Sequence, residues 1–299
     1  MRIVMAGSSG FLGTNLRNRL TEGGHEVIRL VRRDPSTLEE RRWRPELGEL
    51  HPGTLAGVDA VINLAGAPVA RRWTAAYKEE VRSSRVRATQ TIATAIASLP
   101  AGERPRTLLN GSGVHYYGDA GETAVDEESP AGTGFMPELC VAWEAATRAA
   151  EETGVRVVRF RTGLVLGREA TIMRVLALVF NVGLGGPIHG GRYWMPWISV
   201  RDWTSAVAFL LEREDVSGPV NLCGPNPSRN ADFTRALGRV MHRPTLFPTP
   251  RFGVRLVLGE FGASITDSIR AVPAVLNRSG FTFRHTDLDE AMRLALHRV

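Results

Sequence analysis

The chain has 299 residues, 43% hydrophobic and 23% charged, enough for one large domain or two modest ones with a sizeable core. Its 37 basic and 31 acidic residues leave a net charge of +6, spread along the chain without a long run. That argues against a nucleic-acid stripe and for a solvated arginine-rich surface or an anionic small ligand. Two cysteines, Cys140 and Cys223, are too few for a metal cage or a disulfide framework. Without a stretch of about 18 apolar residues or a signal-like start, the chain reads as cytoplasmic, with no membrane partner.

Residues 2–6, RIVMA, are a short apolar run that predicts a buried parallel strand. The motif GSSGFLG follows, placing Gly7, Ser9, Gly10 and Gly13 between that strand and a helix whose apolar side carries Phe11, Leu12, Leu16 and Leu20. Glycines there permit a tight turn and let backbone N–H groups approach a pyrophosphate at the helix N-terminus. HEVIRLVRR (25–33) and DAVINLAGA (59–67) predict the next two strands, and a long helix spans 77–99. RTLLNGSG (106–113) and VRVVRFRTGLVLG (155–167) predict two more, separated by a helix over 136–150. This alternation predicts an α/β fold, a Rossmann-type doubly wound parallel sheet over residues 1–222. Segment 168–197, rich in glycine and aromatics, predicts an inserted loop on the substrate side. WISVRDWTSAVAFLLE (197–212) and GPVNLCG (218–224) resume the alternation, with Asp202 expected to fix a turn or cap the helix. Turn-rich residues 225–299 predict a smaller C-terminal lobe against the carboxyl ends of the strands.

A strand that serves NAD often ends in Asp or Glu, which accepts from the ribose 2′-hydroxyl. Here Val31 stands at that place, followed by Arg32 and Arg33. A guanidinium matches an adenosine 2′-phosphate in bidentate fashion, so the sequence predicts NADP(H), with Arg32 as phosphate partner. Asp34 lies beyond both arginines and before a proline, and reads as a turn.

The G-x-x-G-x-x-G spacing, with DAVINLAGA, GSGVHYYG, RTGLVLG and WISVRDW in that order, resembles the extended short-chain dehydrogenase/reductase family, also called the epimerase/dehydratase family. NLAGAPVARRW, SRV, CVAWE and the tail GEFGASITDSIRAVPAVLNRSGFTF resemble a little-characterised epimerase-like branch with an added C-terminal domain. The resemblance implies that Leu64, Ala65 and Gly66 line the adenosine diphosphate side and that Leu164 meets the nicotinamide side. It also implies polar contacts from Glu80 and Arg85. Five residues apart, these stand about 500° apart on an ideal helix and need not share a face. His189, Arg192 and Trp194 become candidates for substrate contact.

Enzymes of the wider family usually exchange a proton through a tyrosine with a lysine four residues on, helped by an upstream Ser or Thr. Hydride exchange at a carbonyl carbon makes or consumes an alkoxide, and a phenol can shuttle its proton. No Tyr-x-x-x-Lys exists here: Tyr77, Tyr116, Tyr117 and Tyr193 are followed four residues on by Val81, Ala120, Gly121 and Trp197. Aligned by the family's landmarks, the Ser/Thr falls on Gly113, beside Ser112, and the Tyr and Lys on Cys140 and Glu144. Ser112, Tyr117, Cys140 and Glu144 are therefore the candidate catalytic residues, with His115 and Tyr116 at the same predicted strand end. No metal spacing is present. Two functions stay open. One is an NADP(H)-dependent oxidoreductase or epimerase/dehydratase-like enzyme without the usual Ser-Tyr-Lys set. The other is a non-catalytic NADP(H)-binding redox sensor of the same fold.

Overall fold

Seven parallel strands carry the molecule, in the order β11-β7-β5-β4-β1-β2-β3. They are β1 (Arg2–Ala6), β2 (Glu26–Val31), β3 (Glu40–Arg42), β4 (Ala60–Asn63), β5 (Thr107–Gly113), β7 (Arg156–Thr162) and β11 (Gly218–Leu222). This computed structural model describes residues 1–245 and 266–296, so the start of the tail motif, 259–265, lies outside the described residues. β1 pairs with β2 on one side and β4 on the other, and the strand order reverses at this point. In doubly wound sheets ligands bind in the crevice that such a reversal opens at the carboxyl ends of the strands.

Helices cover both faces. α1 (Phe11–Glu22) and α6 (Val200–Glu212) bury Leu16, Leu20, Trp203, Val207 and Leu210 against one face. α2 (Ala75–Ala97) buries Ala88, Ile92 and Ile96 against the other. β strands buried on both faces need apolar runs such as Ile3–Ala6, which is why RIVMA reads without alternation.

Three expectations need correction. The run 155–167 is not one strand: β7 stops at Thr162, and β8 (Leu164–Leu166) leaves the main sheet to pair with β10 (Trp197–Ser199). The break falls at Gly163, where a Cβ would stand 2.7 Å from the Pro196 carbonyl oxygen. Segment 168–197 is not simply a loop, because it holds α5 (Thr171–Asn181) and β9 (Trp194–Met195). The glycines and aromatics lie after Asn181, whereas TIMRVLALVFN before it has the apolar spacing of a helix. Asp202 does not cap α6: the Ser199 hydroxyl does, accepting from the Asp202 N–H at 3.0 Å. β3 is three residues long and wholly charged, so no apolar run marks it in the sequence.

The C-terminal part packs α7 (Asn230–Met241) and α9 (Leu288–Leu296) with α5 around Phe180, Trp197, Phe233, Leu237 and Met292. Short strands β12 (Ser228–Arg229) and β13 (Arg270–Ala271) pair with β9 and with β6 (Ala124–Val125). The freed Asp202 carboxylate, fully buried, clamps this part: it accepts from the backbone N–H of Arg284 at 3.0 Å and of His285 at 2.9 Å. The His285 ring meets the Ser199 hydroxyl at 2.8 Å through Nδ1, and the same nitrogen lies 3.6 Å from Asp202. Ser199, His285 and Asp202 thus meet in space, but both neighbours use one ring nitrogen, so they form a latch and not a nucleophilic triad. Among the described residues no helix is long and apolar enough to cross a membrane. Asp202→Ala should destabilise the protein by about 2–5 kcal/mol in urea unfolding, since it leaves two buried N–H groups unpaired.

Candidate functional site

Gly7 adopts φ +75°, and a Cβ on it would lie 2.5 Å from the Leu64 carbonyl carbon and 2.8 Å from the Ala65 nitrogen. A Cβ on Gly13 would lie 2.1 Å from the Gly7 oxygen. Both positions therefore require glycine for the chain to turn and for α1 to start where it does. Gly10 differs: a Cβ there would meet only the Gly7 oxygen at 3.7 Å, so the protein itself does not demand glycine. What the glycine leaves is open room at the first turn of α1, whose N-cap is Gly10 with no side-chain cap. Exposed Ser9 and Gly10, with half-buried Phe11 and Leu12, form this rim. Uncapped N–H groups beside open space fit a pyrophosphate.

Behind the rim, Asn63 shapes the turn through Leu64 and Ala65. Its Oδ1 accepts from the Ala65 N–H at 3.1 Å, and its amide donates to Asn110 at 2.7 Å and to Thr89 at 3.0 Å. Gly66 lies against Arg85, with the guanidinium carbon 3.0 Å from where its Cβ would be. Arg85 is buried, donates to the Val81 carbonyl at 3.0 Å and stacks 5.1 Å from the Trp143 ring centre. Burial pulls its pKa down to about 10, so it remains a cation. Glu80 is exposed, so the two helix residues do lie on different faces.

At the end of β2 the charges are sorted. Glu40, buried although it opens an edge strand, takes both guanidinium nitrogens of Arg33, at 2.5 and 2.8 Å, and one of Arg29 at 2.9 Å. It also accepts from the Ser36 N–H and hydroxyl, and the Arg33 fork holds its carboxyl down at about 2. Asp34 is paired with Arg42, and Arg41 donates to the Leu38 carbonyl at 2.7 Å. Arg32, exposed beside half-buried Val31, has no hydrogen-bond or ion-pair partner among the described residues.

Ser112, Tyr117, Cys140 and Glu144 do come together, at the carboxyl end of β5 and on α3 (Phe135–Ala145). The residue that joins them is Arg161 of β7. Its Nε and Nη2 donate to the two Glu144 oxygens at 2.8 and 2.9 Å, and its Nη1 donates to the Tyr117 hydroxyl at 3.0 Å. Ser112 donates to the same carboxylate at 2.7 Å, and the Tyr117 hydroxyl donates to Asn221 Oδ1 at 2.8 Å. Both charged partners are buried. Burial opposes the Arg161 charge, but the Glu144 carboxylate outweighs it and holds the guanidinium above its ordinary pKa. β7 carries three arginines, Arg156, Arg159 and Arg161, and only burial singles out Arg161, so the sequence alone does not mark it.

The remaining groups are tuned away from easy proton exchange. Burial, then the Glu144 charge, pushes the Cys140 thiol up to about 12. Burial raises the Tyr117 phenol as well. Desolvation holds His115 down at about 4, so its ring is neutral near pH 7. Tyr116 differs. Its ring lies 3.4 Å from the Arg161 guanidinium carbon, and its partly exposed hydroxyl has no hydrogen-bond partner among the described residues. Leu164, at the start of β8, donates its N–H to Pro196 at 2.8 Å and is partly buried beside this cluster's strand. In the later segment His189 and Arg192 are exposed, while Trp194 donates to Glu122 at 3.1 Å and is flanked by Arg229 and Arg270. Among the described residues no group of three His, Cys, Asp or Glu side chains could hold a metal ion.

Residues 3–223 match the NAD dependent epimerase/dehydratase family, and residues 249–295 match a domain of unknown function. The chain belongs to the NAD dependent epimerase/dehydratase family. It is 44% identical over 298 residues to an epimerase family protein of Mycobacterium bovis, covering 99% of this chain and 98% of that one. The crystal structure of a human epimerase family protein, SDR39U1 isoform 2, with NADPH superposes with a TM-score of 0.90 at 32% identity, covering 99% of each chain. A nucleoside-diphosphate sugar epimerase from Corynebacterium glutamicum gives 0.81 at 32% identity, over 99% of this chain and 58% of that one.

The buried ion pair gives this family member a clear prediction. Arg161→Ala strands the Glu144 carboxylate and should cost about 3–5 kcal/mol in denaturant unfolding. Double replacement by apolar residues of similar volume should recover most of that loss. The Glu40 clamp predicts an acid limit. Because its folded pKa is lowered, its contribution is complete above the ordinary glutamate pKa of 4.5 and disappears as pH falls toward 2. An acid titration followed by NMR of the Ser36 amide should lose its folded-state shift in that window.

Proposed function

We propose that the chain binds NADP(H) and acts on a small molecule as an oxidoreductase or an epimerase/dehydratase-like enzyme, without the Ser-Tyr-Lys set of the wider family. The observation that carries this reading is the nucleotide end: a turn that only glycine can make, an uncapped α1 and an uncommitted Arg32 at the end of β2. The human relative crystallised with NADPH supports the choice of nucleotide. Gly7, Ser9, Gly10, Phe11, Leu12 and Gly13 would hold the pyrophosphate side. Val31 and Arg32 would meet the adenosine end, Leu64, Ala65, Gly66, Glu80 and Arg85 the diphosphate wall, and Leu164 the nicotinamide side. When bound, the nicotinamide supplies hydride exchange.

The chain's own task is to place a proton donor or acceptor at the carboxyl ends of β5 and β7. Tyr116 is the residue we assign to it. Arg161 holds the ring in place by stacking, and the hydroxyl remains available to a substrate oxygen. Ser112, Glu144, Arg161 and Tyr117 then serve as a rigid floor, each satisfied by the next. One observation favours the sensor reading instead. All four candidate residues, Ser112, Tyr117, Cys140 and Glu144, are tied up or raised in pKa, which suits binding without turnover.

Two measurements separate these readings. NADPH fluorescence titration should show binding tighter than NADH, and Arg32→Ala should weaken NADPH about 10–100-fold with little effect on NADH. Absence of binding, or preference for NADH, rejects the cofactor reading. With carbonyl compounds supplied, oxidation of more than one equivalent of NADPH requires turnover, and Tyr116→Phe should lower it about 100-fold or more. Stoichiometric oxidation only, with product analysis also showing no redox-neutral conversion, favours the sensor.

A further inference from the structure

Five arginines surround the end of β2, and their partners divide them sharply. Arg29 and Arg33 converge on Glu40, Arg42 on Asp34, and Arg41 on backbone carbonyls. Only Arg32 among these five has no such partner within the described residues. Its backbone is nonetheless held from both sides. Val31 is paired with Arg42 in the β2–β3 ladder, and Arg33 is locked in a fork to Glu40. The same carboxylate gathers the Ser36 N–H at 2.7 Å and the Ser36 hydroxyl at 2.9 Å, closing the loop that follows. Glu40 is 1% exposed, so this is a buried anchor beneath an exposed loop and not a surface ion pair.

We propose that Glu40 is a positioning residue for nucleotide selectivity: it removes Arg33 from the phosphate and fixes the loop so that Arg32 alone presents its charge there. The proposal rests on the NADP(H) reading above and adds a cause for its selectivity. A preorganised guanidinium binds without first giving up loop entropy, whereas a loose loop must be ordered by the ligand. NADH has no 2′-phosphate and gains nothing from this arrangement.

Charge and position predict opposite signs, which makes the test decisive. Removing a carboxylate near a phosphate would by charge alone strengthen NADPH binding, most at low salt. Loss of positioning weakens it. Titrating wild type, Glu40→Ala and Glu40→Asp with NADPH and NADH should show Glu40→Ala weakening NADPH about tenfold while NADH stays within about twofold. Glu40→Asp keeps the charge and shortens the anchor by one methylene. It should lower the NADPH to NADH preference in the same direction, so the proposal stays testable if the alanine variant does not fold. Tighter NADPH binding by Glu40→Ala overturns the proposal, as does an unchanged preference in Glu40→Asp. A wild type without preference for NADPH rejects instead the cofactor reading beneath it.

Discussion

The buried pair between Arg161 and Glu144 is the interaction around which the candidate site is arranged. It joins β7 to α3, and through Ser112 and Tyr117 it reaches the end of β5 and, by Asn221, β11. Two charges removed from water are tolerated only when each is met on most sides, and here the carboxylate accepts three hydrogen bonds. Asn221 carries the network onward, donating to the Val272 carbonyl at 2.9 Å, while Glu127 accepts from the Asn221 and Val275 N–H groups. The floor of the cleft and the C-terminal part are therefore held by one connected set of polar groups.

That connection explains why the usual proton relay has no vacancy to return to. In the wider family's pattern a lysine stands near the tyrosine, and a nearby cation favours the ionised phenol. Here the cation is a guanidinium, fixed by a fork to Glu144 and covered on its face by Tyr116. The site is instead built around this buried ion pair, with the half-buried Tyr116 ring stacked on its guanidinium.

Much of this was legible in the residues. The apolar runs of β1 and β4, the glycine spacing after β1 and Val31 in place of an acid at the end of β2 are all local features, and the structure puts the strands and the turn where they were expected. The break at Gly163 and the helix within 168–197 were not legible. The first depends on a carbonyl of Pro196, more than thirty residues away, and the second on packing against α7. In the sequence Glu40 is one of several charged residues between β2 and β4, with nothing local to mark it. Its burial depends on two arginines and a serine folding over it.

By itself, then, the sequence determined the doubly wound sheet, the nucleotide turn and the loss of the Ser-Tyr-Lys set, because turn geometry, strand burial and residue identity are local properties. Only the tertiary structure decided which charges are spent and which are free. Arg161, Glu144, Cys140 and Tyr117 are brought together from separate elements, and low-dielectric burial ties the protons of Arg161, Cys140 and Tyr117 to their surroundings. Arg32 and Tyr116 stand apart for the same reason: among the described residues their neighbours satisfy one another, leaving the exposed guanidinium and the half-buried phenol hydroxyl without a hydrogen-bond partner.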